Sequence, residues 1–99
     1  MSFLIDTHAH LDFPELFSRL DEVLKNAKEN NVLKIITIST NLDKIQKIID
    51  ISHNHPEIFF SVGVHPNEVL KDKNYSNYEM MFDITKNLKC VGIGECGLD

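Results

Sequence analysis

Two histidines, His8 and His10, stand two apart in the stretch IDTHAHLD (residues 5–12), with Asp6 and Asp12 on either side. Neutral imidazole nitrogen is a good ligand for Zn, Mn, Fe or Ni. In a strand, side chains alternate between faces, so Asp6, His8 and His10 point one way while Ile5, Thr7 and Ala9 point the other. Two imidazoles placed like this can reach one metal ion. Asp6 is either a further ligand or a carboxylate that orients a histidine from behind. Taken alone, an HxH pair is equally well a surface turn with two solvated histidines. Two more stretches carry titratable groups just after apolar runs: His65 in SVGVHPNEV (61–69) and Glu95 in VGIGECGLD (91–99). Each alone reads as a loop start or a surface acid. His53 and His55, before Pro56, read as solvated residues at a helix end.

The elements around these residues decide between the readings. Residues 3–8 (FLIDTH), 32–39 (VLKIITIS), 58–64 (IFFSVGV) and 90–95 (CVGIGE) read as four strands. Between the first two, residues 14–30 place Leu16, Leu20, Val23, Leu24 and Ala27 on one helical face. Leu42, Ile45, Ile48 and Ile49 form a second stripe, and Thr40 with Asp43 has the spacing of a capping box. Ser76 and Glu79 suggest another cap, before a stripe of Tyr78, Met81, Phe82, Thr85 and Leu88. Residues 65–75 read as a polar loop with at most a turn of helix. The order is βαβαβαβ, one parallel strand and one crossover helix per unit. It fits either a doubly wound sheet or the first half, about four βα units, of a (β/α)8 barrel. THAHLD stands where a glycine-rich phosphate loop would follow the first strand, which disfavours a dinucleotide fold. His8, His10, His65 and Glu95 then all fall at strand carboxyl ends, where α/β folds build their sites. Gly92 and Gly94 are expected to leave room for a close approach of helix or backbone.

Charge and composition narrow the class. The 99 residues carry a net charge of −5, so a nucleic-acid grip built on the chain's own cations is not expected. Residues 1–18 contain no Lys or Arg, which is not a secretory signal of the usual form. No apolar run approaches the roughly 18 residues of a membrane span. Cys90 and Cys96 lie on one expected strand, six residues or roughly 20 Å apart. A disulfide needs Cα atoms within about 7 Å, so both are expected as reduced thiols in a cytoplasmic protein.

FLIDTHAHLD, SVGVHPNEV and VGIGECGLD, in this order and spacing, resemble the first half of a TatD-type metal-dependent deoxyribonuclease, one of the amidohydrolase-like barrels. The likeness covers the whole chain. It implies hydrolysis of phosphodiester bonds in DNA, typically as an exonuclease, with two divalent cations (Mg, Mn or Zn) in the complete site. Under it, His8 and His10 match the HxH metal ligands. Glu95 matches the carboxylate shared by the metals and counts as catalytic. His65 matches the GVHP histidine beside the site, with a catalytic and substrate-binding place, and Asp6 matches the acid of the D[ST]HxH pattern. DNA would be held through metal-bound phosphates, which answers the charge objection.

A full barrel needs about 250 residues, so residues 1–99 are expected to be the N-terminal part of one barrel domain. The remaining histidine ligands and a late aspartate would then lie in a C-terminal half. PHP-type phosphoesterases open with the same DxHxH, but GVHP and GECGLD favour the nuclease. A C–N-cleaving amidohydrolase would show a carbamylated lysine or its substitute where Glu95 stands. A metal-binding half-domain that needs a partner is the non-enzymatic alternative.

Overall fold

The computed structural model describes residues 2–97. Leu98 and Asp99, which close the GECGLD stretch, lie outside the described residues. Four parallel strands, β1 (Leu4–Ala9), β2 (Val32–Thr37), β3 (Ile58–Val62) and β4 (Cys90–Ile93), form one sheet in the order β1-β2-β3-β4. A doubly wound sheet would have placed β1 inside the order, so sequential winding selects the barrel segment. Helices α1 (Pro14–Phe17), α2 (Leu20–Glu29), α3 (Ile45–Asn54) and α4 (Tyr78–Thr85) make the crossovers.

The core lies between strands and helices. Ile58, Phe60 and Val62, alternate residues of β3, are fully buried. Phe60 and Val62 pack with Leu42, Ile45 and Ile48, the stripe expected for α3. Ile35, Ile51, Ile58 and Leu11 form a second cluster, covered by Leu16, Leu20, Val23, Leu24 and Ala27. All five residues of the first expected stripe therefore face the core. The single helix expected over 14–30 is nevertheless two: Arg19, at φ −125° and ψ 26°, leaves the helical region. Pro14 starts the first piece, where a missing N–H costs nothing.

Both expected caps are replaced. Asp43 does not close a capping box with Thr40. Its carboxylate accepts from Lys73 N (2.9 Å) and Asn74 Nδ2 (2.8 Å), pinning the 65–77 loop. Lys44 is the N-cap of α3, and its N–H donates to Asn41 Oδ1. In α4 the cap is Asn77, whose side chain accepts from Met80 N, not Ser76. The α4 stripe also differs: Met80, Met81 and Ile84 meet the core, while Tyr78 and Phe82 are exposed. Residues 66–68 form a 3-10 turn, and the rest of that loop is anchored rather than free. Asp72, buried, accepts from Leu42 N through Oδ2 and from Asn74 N through Oδ1.

The outer strands show apolar residues to solvent: Phe3, Leu4 and Ile5 at β1, Val91 and Ile93 at β4. Among the described residues no helix is long and apolar enough to cross a membrane. Cys90 and Cys96 are both free thiols.

Candidate metal centre

The carboxyl ends of the strands are stitched together by backbone bonds that cross from unit to unit. Ile38 N donates to Ala9 O (2.7 Å), His65 N to Thr40 O (2.7 Å), Glu95 N to Ser39 O and Gly94 N to Val62 O (both 2.9 Å). Buried hydroxyls fill the gaps. Ser39 Oγ donates to Gly63 O (2.7 Å), Ser61 Oγ donates to Gly94 O (2.8 Å), and Thr37 Oγ1 accepts from Leu11 N (3.1 Å). These hydroxyls sit where an aliphatic residue would leave polar backbone unpaired, which costs about 1–3 kcal/mol per group. They hold the loops that carry the histidines and Glu95.

Gly63 decides the approach of Glu95. A Cβ built there would lie 2.3 Å from Glu95 O and 2.6 Å from Gly94 C, both backbone. Only glycine lets the end of β4 pass this close to β3. Gly92 and Gly94, expected to permit a close approach, face open space instead, with nothing within 4 Å of a Cβ at either. The glycine of GVHP, not those of VGIG, is the steric requirement.

Three side chains converge on one point. His8 Nε2 and His10 Nε2 lie 3.9 and 3.6 Å from Glu95 Oε2. One ligand atom from each of the three residues falls within 4.8 Å of the others. Donors about 2.1 Å from a tetrahedral ion stand roughly 3.4 Å apart, so a small contraction suffices to coordinate. The donor chemistry also fits. His10 Nδ1 donates to Ile38 O (3.2 Å), because a carbonyl only accepts, and this leaves the Nε2 lone pair turned to Glu95. Phe13 stacks on the His10 ring (centroids 4.6 Å apart, planes 11° off parallel) and fixes its plane.

His65 is placed differently. Its Nδ1 accepts from Asn67 N (3.0 Å), so in the neutral ring the proton sits on Nε2. That Nε2 faces Glu95 Oε1 at 3.5 Å, the carboxylate oxygen not used by His8 and His10. His65 is thus a donor beside the group, not a lone-pair ligand in it. Asp6 stays out altogether. An irregularity in the β1–β2 register between Asp6 and Ala9, where three steps on β1 match two on β2, breaks strict alternation. The Asp6 carboxylate turns back to accept from His8 N at 3.0 Å. His53 and His55 sit at the far end of the sheet, where His53 Nε2 meets Asn87 Nδ2 and the His55 carbonyl accepts from Lys89 Nζ.

The group opens into a cavity of about 510 Å³. Its wall includes residues that motif reading passed over: Asp12, Phe13, Lys44 and Lys47. Asp12 is buried, Oδ1 has no hydrogen-bond partner, and burial pushes its carboxyl above the ordinary range despite opposing fields from His10, Lys47 and Lys44. The i,i+3 spacing of Lys44 and Lys47 at the start of α3 was the available signal.

A family profile described as TatD related DNase matches residues 5–99. An uncharacterized metal-dependent hydrolase of Buchnera aphidicola subsp. Baizongia pistaciae is 35% identical, over 98% of this chain and 37% of its own length. The human deoxyribonuclease TATDN3 is 30% identical, over 97% of this chain and 38% of its own. The crystal structure of YjjV, a TatD homologue of Escherichia coli, superposes with a TM-score of 0.86 at 29% identity, covering 97% of this chain and 38% of that one. The chain thus spans about two-fifths of the length of the relatives it matches.

Proposed function

The chain belongs to the TatD-related DNase family of metal-dependent hydrolases, and from that premise we propose that it forms the N-terminal part of one barrel domain that hydrolyses phosphodiester bonds of DNA. The observation that carries this is the division of Glu95: Oε2 faces His8 and His10, and Oε1 faces His65. His8, His10 and Glu95 would hold a divalent cation, and a second cation of the complete site would need ligands beyond these three. A bound cation neutralises phosphate charge and makes water more acidic. The protein's own groups do the rest. His10 is locked by Ile38 O and Phe13, so it presents Nε2 without reorganisation. His65 donates Nε2–H to a phosphate oxygen or leaving group, and its Nδ1 is held by Asn67 N.

The test is a chimera in which this chain replaces the matching segment of the Escherichia coli relative, given a single-stranded oligodeoxynucleotide. Cleavage should require Mn²⁺ or Mg²⁺, fall at least about a hundredfold in His10→Ala, and fall similarly in Glu95→Gln. Residues 1–99 alone should bind Mn²⁺ but not cleave. Cation-independent cleavage, or full activity in Glu95→Gln, would sink the reading.

A further inference from the structure

The cavity of the metal centre has a second end. Lys44 and Lys47 line it together with Asn41 and Thr40. Among the described residues neither ammonium lies within an ion pair. Lys47 Nζ sits 4.0 Å from the centre of the Phe17 ring, held on an aromatic face instead of a carboxylate. Asp12 feels the field of both lysines, yet neither comes within ion-pair distance of it. Neither cation is tied to an acid of the pocket by an ion pair.

Their position also works against the helix. Lys44 is the N-cap of α3, Lys47 is in its first turn, and that turn has neither an acidic residue nor a side-chain cap. The amino end of a helix is its positive end, where a cation is unfavourable and an anion favourable. Two unpaired lysines there oppose helix stability, in a chain of net charge −5. An anion bound between them removes the conflict, since both ammonium groups then face an opposite charge.

We propose that Lys44 and Lys47 form a subsite for a second, non-reacting phosphate of the substrate, so that the site takes an oligonucleotide with at least two backbone phosphates. This rests on the phosphodiesterase reading above. One phosphate meets the His8–His10–Glu95 group, and its neighbour along the strand meets the lysines across the same cavity. Phe13, stacked on His10, adds an aromatic ring to the wall of the same cavity.

The experiment is binding of a short fluorescein-labelled oligothymidylate to the 99-residue chain in Mn²⁺, followed by anisotropy across a range of KCl. Single-strand binding loses about 0.7 in the slope of log K against log[salt] for each phosphate contact removed. The Lys44→Gln/Lys47→Gln variant should lose at least roughly this much slope and keep the thermal midpoint of the parent chain or exceed it. Lys25→Gln/Lys28→Gln, which removes the same charge from exposed positions of α2, should keep the parent slope. Mn²⁺ affinity should be unchanged in both variants. An unchanged slope in Lys44→Gln/Lys47→Gln, an equal loss in Lys25→Gln/Lys28→Gln, or a lowered midpoint without loss of slope overturns the subsite and leaves the phosphodiesterase reading standing. No binding of the oligonucleotide by the parent chain also overturns the subsite, while the phosphodiesterase reading is judged by cleavage in the chimera.

Discussion

Replacing Gly63 by alanine should dismantle the candidate metal centre without touching His8, His10 or Glu95. The added Cβ would stand 2.3 Å from Glu95 O, 2.6 Å from Gly94 C and 2.8 Å from Gly94 O, where ordinary contact begins at 3.4 Å. Relief of the worst contact takes a shift of about 1 Å. The obstructing atoms are backbone, so no flexible side chain can yield. The shift must move the peptide that carries Glu95, because Gly94 N and Ser61 Oγ tie this segment to β3. Metal ligation tolerates about 0.2 Å, and small displacements of site groups cost on the order of a hundredfold. The expected outcome is a loss of Mn²⁺ affinity of at least about tenfold, the lower end for perturbing groups around a site. Overpacking at a strand crossing adds about 1–3 kcal/mol of destabilisation. Mn²⁺ titration followed by EPR, with urea denaturation on the same samples, measures both. Parent-like affinity and stability in Gly63→Ala would refute the claim that this glycine sets the position of Glu95.

Asp72→Ala leaves the N–H of buried Leu42 without its acceptor and should cost about 1–3 kcal/mol in urea denaturation. Asp43 is held below the ordinary carboxylate range, first by the N–H of Lys73 and also by Asn74. Its contribution to stability is therefore present above the ordinary value of about 3.9 and lost as pH falls below it. Asp43→Asn should flatten that acid limb of the stability curve, measured as urea midpoints from neutral pH downward. Burial pushes the Cys90 thiol up, while Cys96 is exposed. A thiol-specific reagent should thus react first at Cys96 and slowly at Cys90, as peptide mapping would read.

Strand and helix identities were legible in local pattern. Ile58, Phe60 and Val62 fall on one face of β3 because a pleat has period two, and the stripes of α2 and α3 repeat because a helix turns every 3.6 residues. His8, His10 and Glu95 were legible too, as polar residues that interrupt or end apolar runs, as was His65. The split of the first helix at Arg19 was not, because its apolar stripe stays in phase across the break. Nor was the true cap of α3: Thr40 and Asp43 have capping-box spacing, but Asp43 is recruited by Lys73 and Asn74, some thirty residues away. Asp6 was expected beside His8 and His10 by parity, and a one-residue irregularity against β2 cancelled that parity.

What the amino-acid order determined by itself is therefore whatever depends on neighbours along the chain: the βα alternation, the faces of the elements and the chemical types at the strand ends. Tertiary structure decided which of those ends meet. Glu95 reaches His10, 85 positions away along the chain, because Gly63 has no side chain and because Ser39 and Ser61 bond the backbone of neighbouring units. It also decided which nitrogen of each ring carries the proton: His65 Nδ1 accepts from Asn67 N, leaving an N–H at Nε2, while His10 Nδ1 donates to Ile38 O, leaving a lone pair at Nε2. Such choices are absent from local pattern because each is a distance or a hydrogen-bond partner set by packing between units, and an imidazole takes its tautomer from its partner, not from its place in the chain.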